Sequence, residues 1–150
     1  VDLFGNLHTM TRSQLKARSD MLLEKMGLIE DADRKAEKYS GGMKRRLSLV
    51  LALVHDPQIA FLDEPTVGMD PQSRRAVWDF IRELKGQGKT IILTTHYMEE
   101  AEELCDRVGI IDHGKLIALG SPKDLILSNK VKNLEEVFIN LTGRKIREEL

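Results

Sequence analysis

The sequence predicts an α/β fold, with a mostly parallel sheet flanked by helices and a helical part ahead of it. Three observations carry that expectation. From residue 59 onward short apolar runs alternate with longer amphipathic stretches, the order that parallel strands with crossover helices produce. Before residue 57 the apolar residues recur at helical spacing instead. The chain of 150 residues is 41% hydrophobic and 31% charged, the balance of a globular domain long enough for one core.

The same composition excludes several classes. Lys and Arg number 23 against 24 Asp and Glu, a formal charge of -1, so no general attraction for nucleic acid is expected. Low hydrophobicity coupled to high net charge, the signature of disorder, is absent. The longest strongly apolar stretch, Leu47–Val54, is far short of the ~20 residues of a membrane-spanning helix, and the first residues do not read as a signal peptide. A single cysteine, Cys105, rules out an intrachain disulfide and a CxxC metal site and suits a reducing cytoplasm.

The first 38 residues read as helical and rather polar. Thr11-Arg12-Ser13-Gln14 has capping-box spacing, after which Leu15, Leu22, Leu23 and Met26 share one face, and Gly27 is placed to end the helix in a left-handed turn before Leu28. Residues 29–38 are charged and aperiodic, a loop with one helical turn at most. Ser40-Gly41-Gly42 opens a helix whose first turn is basic, at Lys44, Arg45 and Arg46, and whose remainder is apolar almost all round and so runs into the core. His55-Asp56-Pro57 stops it. Ile59-Ala60-Phe61-Leu62 has the character of a buried parallel strand, closed by Asp63-Glu64-Pro65. Asp70-Pro71 supplies an N-cap and an N1 proline for a helix of about Pro71–Lys85. Thr90–Thr95 is a second strand leading to His96 and an acidic helix over about Tyr97–Asp106; Val108–Asp112 is a third strand. His113-Gly114 marks a turn before Lys115–Leu119, Gly120-Ser121-Pro122 opens a short helix, and Asn133-Leu134-Glu135-Glu136 starts a last amphipathic helix ending near Leu141.

Four places carry candidate chemistry. Asp63 and Glu64 lie at the carboxyl end of a strand, the edge where open α/β sheets bind ligands. One carboxylate there is suited to hold Mg²⁺ through water, the other to orient or deprotonate an attacking water, although the bare tripeptide reads first as a solvated turn before Pro65. Ser40-Gly41-Gly42 at a helix start offers exposed amides and the helix dipole to a phosphate, or is simply a serine N-cap with a flexible entry. The basic turn adds positive potential nearby. His96 ends an apolar strand at the same edge, where it suits a hydrogen bond to a terminal phosphate or a merely structural place.

Gly88-Lys89-Thr90 imitates the end of the phosphate-cradling loop G-x-x-x-x-G-K-[ST], but Glu83 occupies the first glycine position and the order is helix-to-strand, so it is read as a turn. Glu99, Glu100, Glu102 and Glu103 read as a solvated helix face. Trp78, among Val77, Phe80 and Ile81, reads as core or interface packing.

Taken together, the order and spacing resemble the ATP-binding-cassette (ABC) ATPase domain. Tyr39-Ser40-Gly41-Gly42-Met43 resembles the family's signature motif, with Tyr and Met where Leu and Gln are commoner. Ile59–Glu64 resembles the Walker B strand with the catalytic glutamate, Val67-Gly68-Met69-Asp70 the D-loop, and His96 the switch histidine. The likeness continues through Cys105-Asp106-Arg107-Val108 to Leu134-Glu135-Glu136-Val137-Phe138 and Leu141-Thr142-Gly143, so it covers essentially the whole chain. Tyr-Ser-Gly-Gly-Met followed by Lys-Arg-Arg-Leu, together with Asp70-Pro71-Gln72-Ser73-Arg74-Arg75, is most similar to drug-resistance-type exporter ATPases.

No Walker A loop occurs in the sequence, and no convincing Q-loop precedes the helical region. The resemblance therefore implies the C-terminal portion of an ABC ATPase with a partial P-loop NTPase fold. Residues 1–56 would form a helical subdomain with the signature helix, and residues 57–150 the α/β part from Walker B onward. It implies ATP and Mg²⁺ as ligands. Ser40, Gly41, Gly42 and Met43 would contact nucleotide held by an opposite subunit, and Asp63 would hold Mg²⁺ through water. Glu64 would polarise the attacking water, His96 would sense the γ-phosphate, and Asp70 would make the D-loop contact. The implied partners are a second ABC ATPase domain and a transmembrane permease, with no nucleic acid, at the cytoplasmic face of a membrane. The chain alone is expected to be inactive. Alternatives are a truncated interaction module and a non-transport ABC ATPase. In the family the Walker A strand stands beside the strand that ends in the switch histidine, so Thr90–Thr95 and Val108–Asp112 are expected to lack their shared neighbour.

Overall fold

The structure is a computed structural model that describes residues 10–143. The expected helical character of residues 1–9 lies outside the described residues. The chain divides into two compact units, the first ending at Thr94 and the second beginning at Thr95.

In the first unit, α1 spans Arg12–Lys25, α2 Gly41–Leu53, β1 Ile59–Asp63, α3 Pro71–Gly86 and β2 Thr90–Thr94. Helix α1 starts on the expected capping box, Thr11 and Gln14 each satisfying the other's backbone amide. It ends as a Schellman motif. The amide of Gly27, at φ +60°, donates to the Glu24 carbonyl and that of Leu28 to the Leu23 carbonyl. Leu15, Leu22, Leu23 and Met26 are all buried, as their spacing requires. Between α1 and α2 the chain makes two 3-10 turns, Ile29–Asp31 and Ala36–Lys38, one more than the sequence suggested. The Tyr39 hydroxyl donates to the Asp31 carbonyl at 2.8 Å and pins this connection.

Helix α2 packs on α1 and on β1, burying Leu49, Val50 and Leu53. Helix α3 buries Val77, Trp78, Phe80, Ile81 and Leu84, the stripe expected of an amphipathic helix on a sheet, and lies on β2. Trp78 is core, as read. Strands β1 and β2 pair in parallel over their full length, from Ile59 opposite Thr90 to Asp63 opposite Thr94. The expectation of a strand buried on both faces is corrected here: β1 alternates, hiding Ala60 and Leu62 and exposing Ile59 (54%) and Phe61 (73%), and Ile92 is exposed on β2. The helices of the unit cover one side of this two-stranded sheet.

In the second unit, α4 spans Met98–Leu104, β3 Val108–Asp112, β4 Lys115–Gly120, α5 Pro122–Asn129 and α6 Leu134–Thr142. Helix α4 is shorter than expected at both ends. His113 and Gly114 both have positive φ, +46° and +73°, the geometry of a two-residue hairpin turn, and β3 pairs antiparallel with β4. The two pairs of strands are separate sheets, so among the described residues neither β2 nor β3 has a further strand at its side. Ala101, Ile110, Leu125, Leu134 and Val137 form the core of this unit. No helix of the described residues is long and apolar enough to cross a membrane.

Candidate functional site

Parallel pairing in register brings the carboxyl ends of β1 and β2 together, so Asp63 and Glu64 meet Thr94. The Thr94 hydroxyl donates to Asp63 Oδ1. The Glu64 amide donates to the Thr94 carbonyl at 3.0 Å and lies 3.3 Å from its Oγ1. Glu64 has φ +46°, the left-handed region that non-glycine residues rarely occupy, and it precedes a proline, which disfavours helical backbone there. A tight turn follows, with the Val67 amide donating to the Glu64 carbonyl at 3.3 Å. The acidic tip is thus a held conformation.

The guanidinium of Arg45 supplies a further part of that hold. Its Nε donates to the Glu64 carbonyl at 3.0 Å, and its Nη2 donates to the carbonyls of both Asp63 and Glu64. Arg46 Nη1 donates to the Met26 carbonyl at 2.7 Å. Two of the three cations in the basic first turn of α2 therefore donate to carbonyls inside the unit; because carbonyls are neutral, their positive charge is kept. Lys44 remains exposed.

Ser40 is the N-cap of α2, its Oγ accepting from the Met43 amide at 3.2 Å. Neither Gly41 nor Gly42 has positive φ, and a Cβ built on either meets no atom within 4 Å. Among the described residues nothing requires glycine at these two places. Asp70 likewise caps α3, accepting from the Ser73 amide at 2.9 Å; hydrogen bonds from the Ser73 side chain and then its amide hold its carboxyl below the usual range. Both motif residues are therefore also ordinary caps.

His96 belongs to the second unit, its ring 4.3 Å from that of Tyr97 between centroids. On α4, Glu99 and Glu103 are exposed as expected, whereas Glu100 is fully buried and Glu102 accepts from the Leu134 amide at 3.1 Å, so only part of this acidic helix is a solvated face. Gly88-Lys89-Thr90 is a turn, as read, with Gly88 at φ +80°.

Among the described residues no group of three or more His, Cys, Asp or Glu side chains is arranged to hold a metal ion. One or two carboxylates at a strand tip fit a cation that keeps most of its water and is shared with phosphates, as Mg²⁺ does, and not a cage built of protein ligands.

Sequence comparison identifies the family. A profile described as ABC transporter matches residues 2–67. The linearmycin resistance ATP-binding protein LnrL of Bacillus subtilis (strain 168) is 44% identical over 144 residues, covering 91% of this chain and 46% of that protein. The chain belongs to the ABC transporter family of ATP-binding proteins. A Nod factor export ATP-binding protein I from Paraburkholderia xenovorans (strain LB400) is 47% identical over 91% of the chain and 45% of its own length. The doxorubicin resistance ATP-binding protein DrrA of Mycobacterium tuberculosis (strain CDC 1551 / Oshkosh) is 46% identical over 82% of the chain and 37% of its own length. A solved structure described as the ATP binding subunit of an ABC transporter superposes with TM-score 0.85 at 27% identity, covering 94% of this chain and 60% of that one. The relatives are of exporter type, as the sequence suggested, and the chain spans about half the length of the curated relatives it matches.

Arg45 and Thr94 were not singled out from sequence. Thr94 was recoverable, since a hydroxyl at a strand end beside an acidic tip is a ready partner. Arg45 was seen, but as one of three charges.

Proposed function

We propose that the chain is part of the ATP-binding and ATP-hydrolysing subunit of an exporter-type ABC transporter. The observation that carries this reading is the acidic tip of β1. Asp63 and Glu64 stand side by side at the carboxyl end of a parallel strand, the second in a left-handed backbone fixed by Thr94. Phosphoryl transfer asks a protein mainly to position water and phosphate and to neutralise charge, which a sparse set of residues can do.

On this reading Asp63, oriented by Thr94, would hold Mg²⁺, and Glu64 would orient and polarise the attacking water. His96 donates a hydrogen bond to the γ-phosphate. The chemistry Mg²⁺ would supply there is neutralising charge for the phosphates. Ser40, Gly41, Gly42 and Met43 present helix-start amides to ATP held by a second cassette, and Asp70 makes a contact across the same interface. The bare glycines support this, because a backbone with open space around it is one that another molecule can approach closely. A permease subunit is the membrane partner, with the protein at its cytoplasmic face. The helical part of residues 1–56 carries the signature helix, and residues 57–150 carry the chemistry.

The absence of G-x-x-x-x-G-K-[ST] favours a narrower reading of these residues by themselves, that they do not hydrolyse ATP unaided. Equilibrium titration of the isolated chain is expected to show no ATP affinity. In the complete subunit Glu64→Gln should nearly abolish hydrolysis and leave ATP binding in place. Turnover surviving that substitution would overturn the assignment.

A further inference from the structure

We propose that Arg45 is the positioning residue for Glu64, so that the helix carrying Ser40-Gly41-Gly42 at its start also sets the aim of this chain's own catalytic carboxylate. The proposal rests on the reading of Glu64 as the residue that orients the attacking water.

Three backbone groups set the turn at the tip of β1: the Glu64 amide, which continues the ladder to β2, the Asp63 carbonyl, and the Glu64 carbonyl, which also accepts from the Val67 amide at 3.3 Å. Thr94 accepts from the amide, and the Arg45 guanidinium donates to the two carbonyls, with Nε on Glu64 and Nη2 on both. Glu64 needs this hold because its own preferences run against its conformation. A β-carbon at φ +46° is disfavoured, and a following proline disfavours it again. Strained backbone of this kind persists only where its surroundings over-determine it. Thr94 alone fixes one side of the peptide plane. The planar fork of Arg45 fixes the other and sets the rotation of the turn from which the Glu64 side chain springs. A lysine has no such fork: its ammonium is a compact point charge whose three donors are not held in one plane.

Arg45 lies five residues after Ser40 on one helix, an axial rise of about 7.5 Å. A helix backbone is stiff over that distance, so a shift of the Ser40 end displaces the guanidinium, and with it the Glu64 turn. Two positions less than one and a half turns apart on the same helix thereby serve two different nucleotides, the partner's at Ser40 and the chain's own at Glu64.

The test uses the complete subunit and four variants, Arg45→Met, Arg45→Lys, Glu64→Gln and the double Arg45→Met with Glu64→Gln, with steady-state ATPase kinetics, ATP binding and thermal unfolding measured for each. Displacement of a reacting group by about 1 Å costs up to 100-fold in rate, so Arg45→Met is expected to lower kcat about 10- to 100-fold with KM for ATP within about twofold. Arg45→Lys is expected to fall between Met and wild type, and Arg45→Met should add nothing to Glu64→Gln. Normal kcat in Arg45→Met overturns the proposal, as does a loss fully accounted for by the fraction unfolded. If Arg45→Met does not fold, Arg45→Lys decides: a wild-type kcat, or a change in KM alone, overturns the proposal. Turnover by Glu64→Gln overturns the underlying reading of Glu64 instead, which keeps the two failures apart.

Discussion

Lys89 Nζ lies 2.7 Å from Asp56 Oδ1, and the same Nζ donates to the Pro57 carbonyl at 3.0 Å. Arg18 of α1 reaches the same carboxylate oxygen at 2.5 Å. One carboxylate at φ +56° therefore ties α1, the end of α2 and the entry to β2 within the first unit. The Lys89 side chain is 7% exposed while that of Asp56 is half exposed, so losing the carboxylate leaves the lysine with a largely dry charge. The hydrogen bond from Lys89 does most to hold the Asp56 carboxyl below its ordinary value; burial opposes it, and the charges of Arg18, Lys89 and His55 add to the lowering. A carboxyl with a depressed folded value stabilises above its unfolded pKa and loses that contribution as pH falls through the folded value. Asp56→Asn is expected to cost about 1–2 kcal/mol at pH 7, the lower part of the range for a hydrogen bond to a charged group because Asp56 is half in water. The difference from wild type should shrink below about pH 4. Urea midpoints at pH 7, 4 and 3 check both; a difference that does not change with pH would refute the assignment.

Gly27 carries the left-handed turn that ends α1, and a Cβ there would also come within 3.2 Å of Arg46 Nη1. Gly27→Ala is expected to destabilise by roughly 1–2 kcal/mol from backbone strain alone. Chemical denaturation measures this, and a change under about 0.5 kcal/mol would be a contrary result.

Gly42→Ala separates stability from function. Inside the chain the methyl meets open space, and alanine favours helix over glycine by up to about 1 kcal/mol, so the unfolding midpoint should hold or rise. In the complete subunit the same substitution should reduce ATP turnover at least about tenfold, because the methyl fills the approach to the helix-start amides. A stable variant with normal turnover would show that no phosphate closes on Gly42.

Phe61, Ile59 and Ile92 expose an apolar sheet face, and among the described residues the sheet has no third strand. Such surface drives association. Phe61→Thr puts a β-branched residue, which favours extended backbone, in place of the aromatic ring. It should leave the unfolding free energy within about 0.5 kcal/mol while lowering self-association in sedimentation velocity. For the same reason unfolding of the isolated chain should begin at low temperature and depend on concentration. A cooperative, concentration-independent transition at high temperature would contradict this account.

What could be read from sequence was what short spacings encode. Thr11 with Gln14, Gly27, Asp70-Pro71 and Asn133 all act on residues within four positions, and each lies where its spacing put it. The order of elements followed from the same local signals, and family membership from their sequence along the chain. The contacts of Arg45 with Asp63 and Glu64 span 18 and 19 residues, and nothing in Lys44-Arg45-Arg46 says which cation turns inward. Glu100 was misjudged for the same reason: three neighbouring glutamates make a wet face the simplest reading, and only the packing of α4 decides otherwise. The run Ile59-Ala60-Phe61-Leu62 is written for a strand covered on two sides, whereas the described helices cover one.

The Schellman end of α1 has a mechanical corollary. Arg46 grips the Met26 carbonyl at one end of the helix pair, and Arg18 reaches the Leu53 carbonyl at 3.5 Å toward the other. Two struts bolted at both ends cannot scissor. A load applied to the outer surface of α1 is therefore delivered to the seam with α2 as displacement of a single truss, and amide exchange along the two helices should rise and fall together.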